Sequence, residues 1–412
     1  MIQFQEFILD NGLRVIVHED HTFPIAAVNL LYNVGSRDES PIKTGFAHLL
    51  EHLMFGGSKN IPVFDEHLQK VGGENNAFTT PDITSYYIKL PAINLETAFW
   101  LESDRMLGLS FESKILEVQR KVVVEEFKQR YLNQPYGDVW LKLRPLSYQM
   151  HPYQWPTIGK DISHILDATI NDVKSFFNKF YIPNNAILVV AGDVYLDEVH
   201  RLAEKWFEPI PAQEKYTRNL PKEPLQHNKR TRETESDVPS DALYMTWHMC
   251  ARCDKTYHTH DLLSDILGMG KASRLYQSLV KKEKIFNNIS AHISGSLDPG
   301  LFIIQGQVKE GVSIWDAENA VLEVIENIKL GKLHHKELDK VKTQAETSIA
   351  FSEVEVLNRA LNLAFFANLG DAQLYNLEMD KISRVDTDDV IRESNKILQE
   401  NNLSVLYYKT KN

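Results

Sequence analysis

Residues 44–55, Thr-Gly-Phe-Ala-His-Leu-Leu-Glu-His-Leu-Met-Phe, contain the pattern from which the fold of this 412-residue chain can be worked out. In a helix, His48 and His52 lie one turn apart on the same face, with Glu51 beside them. Two imidazoles at that spacing can bind one metal ion, and a neighbouring carboxylate can hold a water molecule against it. The pattern therefore indicates a metal site.

The alternative interpretation is a pair of hydrogen-bonded core histidines beside a surface glutamate. We favour the metal site because the residues between and after the polar trio are leucine and methionine. Ionisable groups in such an apolar helix are costly to bury unless they are paired or bound to a metal. The order His-x-x-Glu-His is the inverse of His-Glu-x-x-His and matches the inverzincin signature.

A zinc site needs a third protein ligand, and the predicted helix 112–131 offers two adjacent carboxylates, Glu125 and Glu126. Glu125 has lysines at helical spacing, which predicts the solvent-exposed face. Glu126 shares its stripe with Gln119, Val122 and Val123 and is expected to point inward. Two surface glutamates on an ordinary helix remain the alternative from this segment alone.

Composition excludes several classes of function. The net charge of −11 favours solubility and argues against a nucleic-acid-binding surface. No apolar stretch approaches the length needed to cross a bilayer, and the first residues lack the pattern of a signal peptide. We expect a cytoplasmic protein if Met1 is the natural start, and a periplasmic one if a leader has been removed.

The two cysteines, Cys250 and Cys253, provide no disulfide framework. With His258 and His260 they superficially resemble a second metal site. That alternative is disfavoured, because a Cys-x-x-Cys pair needs further ligands at a matched spacing.

Along the chain, alternating apolar residues predict strands, and apolar residues at helical spacing predict helices. A turn at residues 10–12 predicts a hairpin near the N-terminus, and strands are expected at 26–32, 75–80, 84–90 and 186–193. Helices are expected at 64–71, 95–107, 112–131, 169–180 and 196–207. The segment 135–156, rich in aromatics and proline, is expected to be an irregular connection.

The second half of the sequence repeats the first. Asp172-Val173, Asn178-Lys179 and Asn184-Asn185 recur 217 positions later (389 − 172) as Asp389-Val390, Asn395-Lys396 and Asn401-Asn402. An offset of half the chain predicts two similar α+β domains in tandem, each a mostly antiparallel sheet packed with helices. The predicted ranges are 1–211 for the domain with the metal pattern, 212–233 for a linker, and 234–412 for an inactive repeat.

These features together resemble the pitrilysin/insulinase family of zinc peptidases, in the short-chain branch that includes bacterial processing-type peptidases and mitochondrial processing peptidase. The resemblance covers nearly the whole chain. It is carried by residues 9–15, 35–39 (Gly-Ser-Arg-Asp-Glu), 45–55, 76–79 (Asn-Ala-Phe-Thr), 122–126 (Val-Val-Val-Glu-Glu), 151–153, 185–193 and 273–275.

The resemblance implies that His48, His52 and Glu126 bind one zinc ion and that Glu51 is the general base toward a zinc-bound water. The expected activity is zinc-dependent endopeptidase cleavage of short or unfolded peptides. Asn76, Ala77, Phe78 and Thr79 match the family's edge strand, to which the substrate adds as a further strand. Phe55 and Phe78 match positions that line a pocket for an apolar side chain, although ordinary core aromatics are the alternative.

Two departures from the family pattern are expected to matter. Gln119 stands seven residues before Glu126, where the family has a supporting carboxylate, so zinc affinity is expected to be altered. In the second half the family has an arginine and a tyrosine that contact substrate. This chain has Leu279-Val280 and Asn287 there, and neither valine nor asparagine can replace those contacts.

The sequence therefore predicts the catalytic subunit of a two-chain enzyme, in which a homologous partner supplies the arginine and tyrosine. A homodimer with substitute residues is the competing assembly. A non-catalytic peptide-binding or scaffold subunit is the alternative of a different class. The intact metal set argues against it, because a subunit without catalysis has no reason to keep three ligands and the base.

Overall fold

The computed structural model describes residues 1–214 and 216–411. They form two compact units, each assembled from three chain segments. The first unit contains residues 1–128, 155–220 and 350–377, and the second contains 129–154, 221–349 and 378–412. This division concerns packing and not the bounds of the repeat along the chain, so the ranges 1–211, 212–233 and 234–412 stay a prediction.

The first unit is built on a six-stranded sheet in the order β1-β2-β6-β3-β5-β4. β2 pairs with β6 in parallel, and the other neighbours are antiparallel. The strands are β1 (Gln5–Ile8), β2 (Arg14–Glu19), β3 (Ile25–Tyr32), β4 (Glu74–Thr79), β5 (Thr84–Pro91) and β6 (Ala186–Gly192). β4 is an edge strand, which bears directly on the candidate site.

The helices of the first unit are α1 (Phe46–Leu53), α2 (Phe64–Lys70), α3 (Leu95–Leu107), α4 (Ser113–Phe127), α6 (Ile162–Leu166), α7 (Ile170–Phe180), α8 (Leu196–Trp206) and α12 (Val356–Asn368). α1 packs against β4, α4 and α7, and α12 packs on β3 and β6. β3 and β6 are buried almost end to end, so apolar residues such as Val28 and Val189 form the core.

The second unit repeats this plan with a five-stranded sheet in the order β7-β11-β8-β10-β9. Its strands are β7 (Arg230–Ser236), β8 (Ala242–His248), β9 (Phe286–Ile293), β10 (Leu301–Val308) and β11 (Leu403–Thr410). β7 pairs with β11 in parallel as β2 does with β6, and the other pairs are antiparallel. The predicted α+β class with two similar domains is confirmed.

The second unit contains helices α5 (Val139–Ser147), α9 (Tyr257–Gly268), α10 (Ile314–Lys329), most of α11 (His335–Ser352), α13 (Glu378–Arg384) and α14 (Thr387–Ile397). α5 corrects the expected irregular connection at 135–156. Val139, Leu143 and Ser147 are buried at a spacing of four, but Pro145 and the surrounding aromatics obscure that period in the sequence. β7 begins at Arg230, inside the range predicted as a linker.

The residues that recur 217 positions apart make equivalent hydrogen bonds in the two units. Asp172 and Asp389 each close a capping box at the start of α7 and α14. Asn185 Nδ2 donates to the carbonyl of Phe180 at 2.9 Å, and Asn402 Nδ2 donates to that of Ile397 at 2.8 Å. The repeat thus preserves the helix-to-strand connection that precedes β6 and β11.

No helix in the described part of the chain is both long enough and apolar enough to traverse a lipid bilayer.

We expect Asn402→Ala to lower the free energy of unfolding by about 1–2 kcal/mol, because it leaves the carbonyls of Ile397 and His248 without their side-chain donor. Urea denaturation of the purified chain measures this. Asn401→Ala, at an exposed neighbouring position, is the control and should stay within about 0.5 kcal/mol of wild type. Equal losses in the two variants would contradict a specific role for Asn402.

Candidate metal centre

Three side chains from two helices converge at one point in the first unit. His48 and His52 come from α1, and Glu126 comes from the last turn of α4. The two Nε2 atoms are 3.3 Å apart, and Glu126 Oε2 lies 3.7 Å from that of His48 and 3.4 Å from that of His52. All three side chains are mostly buried. The structure therefore brings the three predicted ligands together.

These separations fit a bound zinc ion. Metal–ligand bonds of about 2.0–2.1 Å in a tetrahedral arrangement place neighbouring ligand atoms about 3.3–3.4 Å apart. Two imidazoles and one carboxylate form a ligand set used by catalytic zinc sites, which keep a fourth position for water or substrate. Within residues 1–214 and 216–411, this is the one group of three or more histidine, cysteine, aspartate or glutamate side chains whose ligand atoms all lie within 4.8 Å of one another.

The two adjacent glutamates of α4 point in different directions, as their helical spacing predicts. The Glu125 side chain is 60% exposed and pairs with Lys128 at 2.6 Å, whereas that of Glu126 is 18% exposed. Val123 is fully buried beside them, but Val122 is 45% exposed and does not belong to the buried stripe. The inward direction of Glu126 therefore depends on its own place over α1, not on a continuous apolar face.

Glu51 lies on α1 between the two histidines, and its carboxylate receives a hydrogen bond from Thr79. The donor is Thr79 Oγ1 and the acceptor is Glu51 Oε2. Thr79 is the last residue of β4, the edge strand that packs against α1. A residue that the sequence assigns to substrate binding thus contacts the expected general base.

The other predicted substrate-binding residues are distributed along β4 and beside α1. Ala77 and Thr79 lie opposite Tyr86 and Thr84 of β5, whereas Asn76 and Phe78 lie opposite Tyr87 and Ser85. Strand alternation directs Asn76 and Phe78 away from the face that Thr79 shares with Tyr86. The roles of these residues stay predictions.

Phe55 packs into an aromatic cluster beside the site. Its ring centroid lies 6.4 Å from that of Phe64, 6.3 Å from that of Tyr86 and 5.3 Å from the guanidinium carbon of Arg105. Phe55 is nevertheless only partly buried. It can therefore serve the core and a substrate pocket at once, and its predicted pocket role stays a prediction.

Glu39 is a residue whose function the sequence does not disclose. Its buried carboxyl group accepts hydrogen bonds from Gly45 N at 2.9 Å and Ala47 N at 2.8 Å, at the start of α1. Gly45 has φ of 87°, a conformation that favours glycine, and it has no side chain to cap the helix. Glu39 therefore holds the beginning of the helix that carries both histidines.

Burial raises the pKa of Glu39 to about 8, against the opposing effect of the Ala47 and Gly45 N–H groups. The signal that points to Glu39 is its place in the Gly-Ser-Arg-Asp-Glu stretch, but sequence alone does not show what it touches.

The second unit has a different set of residues on its corresponding helix. α9 follows β8 as α1 follows β3, and it contains Asp261-Leu-Leu-Ser-Asp265 where α1 contains His48-Leu-Leu-Glu-His52. Two carboxylates replace the imidazoles, and Ser264 stands in the place of Glu51. Burial, followed by the charge of Asp261, raises the pKa of Asp265 to about 7. The leucines that pack the helix are kept, whereas the histidine and glutamate side chains are not.

His258 and His260, the histidines near Cys250 and Cys253, each lie close to a different glutamate. His258 Nε2 lies 3.4 Å from Glu378 Oε1, and His260 Nε2 lies 3.1 Å from Glu393 Oε2. Val280 and Asn287, at which the resemblance leads us to expect an arginine and a tyrosine, lie in a π-helical turn, Tyr276–Lys282, and at the start of β9. Gln119 is partly exposed on α4, and its effect on metal binding stays a prediction.

Two family models match this chain. Residues 14–159 match the model described as "Insulinase (Peptidase family M16)". Residues 167–345 match the model described as "Peptidase M16 inactive domain". The first match contains the three predicted ligands, Glu51 and β4.

This chain is also similar to curated proteins and solved structures that are named as proteases. The chain is 33% identical over 344 residues to zinc protease PqqE of Helicobacter pylori, covering 81% of this chain and 76% of that protein. A crystal structure of a protease from Helicobacter pylori aligns with a TM-score of 0.94 and 29% identity, over 99% of this chain and 100% of that one. The periplasmic protease PqqL of Escherichia coli aligns with a TM-score of 0.80 and 20% identity, over 98% of this chain but 47% of that one.

We expect Glu126→Gln to lower zinc affinity by roughly a hundredfold or more, because an amide replaces the one charged ligand of the set. Competition with a chromogenic chelator measures the affinity, and metal analysis of the dialysed protein gives the zinc content. Glu125→Gln is the matched control, since it removes the adjacent carboxylate from the exposed face and should bind zinc like wild type. Equal affinity in the two variants would contradict the assignment of Glu126 as a ligand.

Proposed function

This chain belongs to the insulinase family of zinc peptidases, peptidase family M16, and we propose that it is a zinc-dependent endopeptidase acting on short or unfolded peptides. The observation that carries the proposal is the convergence of His48, His52 and Glu126 with Glu51 one residue away on the same helix. A set of metal-binding side chains and a carboxylate base close to it are the two groups that metal-assisted hydrolysis of an amide requires.

One zinc ion is the proposed cofactor, held by His48, His52 and Glu126. Bound zinc supplies a Lewis acid for the peptide carbonyl and makes a water molecule acidic enough to ionise near neutral pH. The proposed ligands would be positioned before the ion binds, since α1 and α4 are each anchored by buried apolar residues.

Glu51 is the proposed general base. It lies between the two histidines in the sequence of α1, and in this role it would take the proton of the attacking water and later deliver a proton to the leaving amine. This role needs a carboxylate held close to the ligands without being one of them. The hydrogen bond from Thr79 supports that arrangement, because it ties Glu51 to β4.

The edge of β4 is the proposed docking site for the peptide. β4 pairs with β5 along one side, and a substrate strand can pair with the backbone groups along the other. Asn76, Ala77, Phe78 and Thr79 are the residues of this edge. Backbone pairing tolerates many sequences but requires an extended peptide. We therefore expect unfolded segments, and not folded proteins, to be substrates.

We propose further that catalysis requires a second chain of the same family. The motivation is the pair of positions where the family has its substrate-contacting arginine and tyrosine, here Val280 and Asn287. The fold of this chain corresponds to about half of PqqL from Escherichia coli, which supports a complete assembly of twice this size. A homologous partner would supply the two missing side chains, and a homodimer with substitute residues is the competing arrangement.

Glu51→Gln is expected to lower kcat/KM by about 10²- to 10⁴-fold while one zinc ion per chain remains bound, because the amide cannot accept the proton. Cleavage of an internally quenched peptide by the complete assembly measures the rate. Activity equal to wild type, or a wild-type protein without zinc, would favour the second candidate function, a non-catalytic peptide-binding or scaffold subunit.

The two-chain proposal is tested by purifying the tagged protein from its own cells. We expect a homologous chain with the arginine and tyrosine to accompany it and the activity to follow the pair. Full activity of this chain alone, unchanged by adding any such relative, would contradict the proposal and favour the homodimer.

A further inference from the structure

The hydroxyl group of Thr79 links two parts of the proposed site that otherwise belong to different elements. Thr79 is the C-terminal residue of β4, and its backbone is part of the edge offered to substrate. Its side chain lies on the α1 side of the sheet and donates to Oε2 of Glu51. The backbone of Thr79 is thus part of the proposed docking strand, and its side chain contacts the proposed general base.

The surroundings of Thr79 determine the direction of that hydrogen bond. A carboxylate accepts hydrogen bonds and does not donate them, so the single hydroxyl proton of Thr79 is directed to Glu51. On the other side, Thr84 Oγ1 lies 3.5 Å from Thr79 Oγ1 and 3.0 Å from the carbonyl of Val34. Thr84 is fully buried in β5. Thr84 gives its one hydroxyl proton to the nearer acceptor, the Val34 carbonyl, so the hydrogen bond to Glu51 is the stronger of the two contacts made by the Thr79 hydroxyl.

We propose that Thr79 is a positioning residue for Glu51, not a side chain that recognises substrate. A glutamate has several rotatable bonds, and a hydrogen bond to one carboxylate oxygen restricts its orientation beside the two histidines. Thr79 is the last residue of the strand on which the peptide is proposed to dock. Its backbone can therefore contact the peptide while its hydroxyl group orients the base. This inference rests on the proposed peptidase function.

The role predicts a separation of kinetic parameters. Thr79→Val keeps the shape of the side chain and removes the hydroxyl, so kcat should fall by about ten- to a hundredfold, the usual effect of losing such a supporting group. KM should change less than about twofold, because the backbone edge is unaltered. Thr79→Ser restores the hydroxyl and should recover most of kcat.

Two readouts do not depend on turnover. Zinc affinity of Thr79→Val should match wild type, since His48, His52 and Glu126 are untouched. In a Glu51→Gln background, which does not turn substrate over, adding Thr79→Val should leave the Kd for a fluorescent peptide unchanged. A rise in Kd or KM with constant kcat would overturn the inference and return Thr79 to substrate recognition.

The urea midpoint shows whether Thr79→Val disturbs the fold. A second variant, Thr79→Ala, also removes the hydroxyl and should show the same loss of kcat without the added bulk of valine. Asn75→Ala, which removes a different side-chain hydrogen bond from β4, to Asp65, should keep kcat within about twofold of wild type. Wild-type protein that is inactive even in the complete two-chain assembly would refute the peptidase function itself. An active wild type with kcat unchanged in Thr79→Val and Thr79→Ala would refute this inference alone.

Discussion

The packing of α1 against α4 is the contact on which the candidate site depends. It holds two imidazole nitrogens and a carboxylate oxygen within 3.7 Å of one another. Apolar residues on both helices provide the stabilisation, with Leu49 and Leu50 on α1 and Val123 and Phe127 on α4 buried. Polar groups this close are unfavourable to bury without a counterion or metal, so the apolar packing must fix them in place. Glu39 adds to this by holding the first turn of α1.

The two units separate fold from chemistry within one chain. Both keep the order of five strands, the capping boxes and the asparagine that anchors the helix before the last strand. They differ on one helix, where Asp261 and Asp265 stand in the places of His48 and His52. The leucines shared by the two helices serve the fold, and the histidines and glutamate that differ belong to the predicted metal site. The repeat therefore preserves the architecture in a second copy that lacks the predicted metal-binding side chains.

Much of this was accessible from the sequence. The spacing of His48, Glu51 and His52 is a local pattern, and the repeat is a direct match between two stretches of sequence, so both are visible in the sequence itself. The inward direction of Glu126 was predicted from a stripe that includes the exposed Val122, so the basis of that prediction was partly wrong. The contacts of Glu39 and Thr79 are not visible in the sequence, because each joins an element distant in sequence to α1. α5 was missed for another reason, since Pro145 and its aromatic neighbours hide a helical period that packing against β8 and β11 makes stable.

The place of Glu126 in the last turn of α4 makes the two helices of the predicted metal site differ in how readily they open locally. The helix becomes π-helical at Lys128–Leu132, immediately after the ligand, and the first segment of the first unit ends at Lys128. This change from α-helical to π-helical hydrogen bonding interrupts the regular ladder next to Glu126, whereas α1 is held at its start by Glu39. Dissociation of a bound ion would then begin with local opening around Glu126, and occupancy of the site would slow amide hydrogen exchange in residues 125–132 more than in α1.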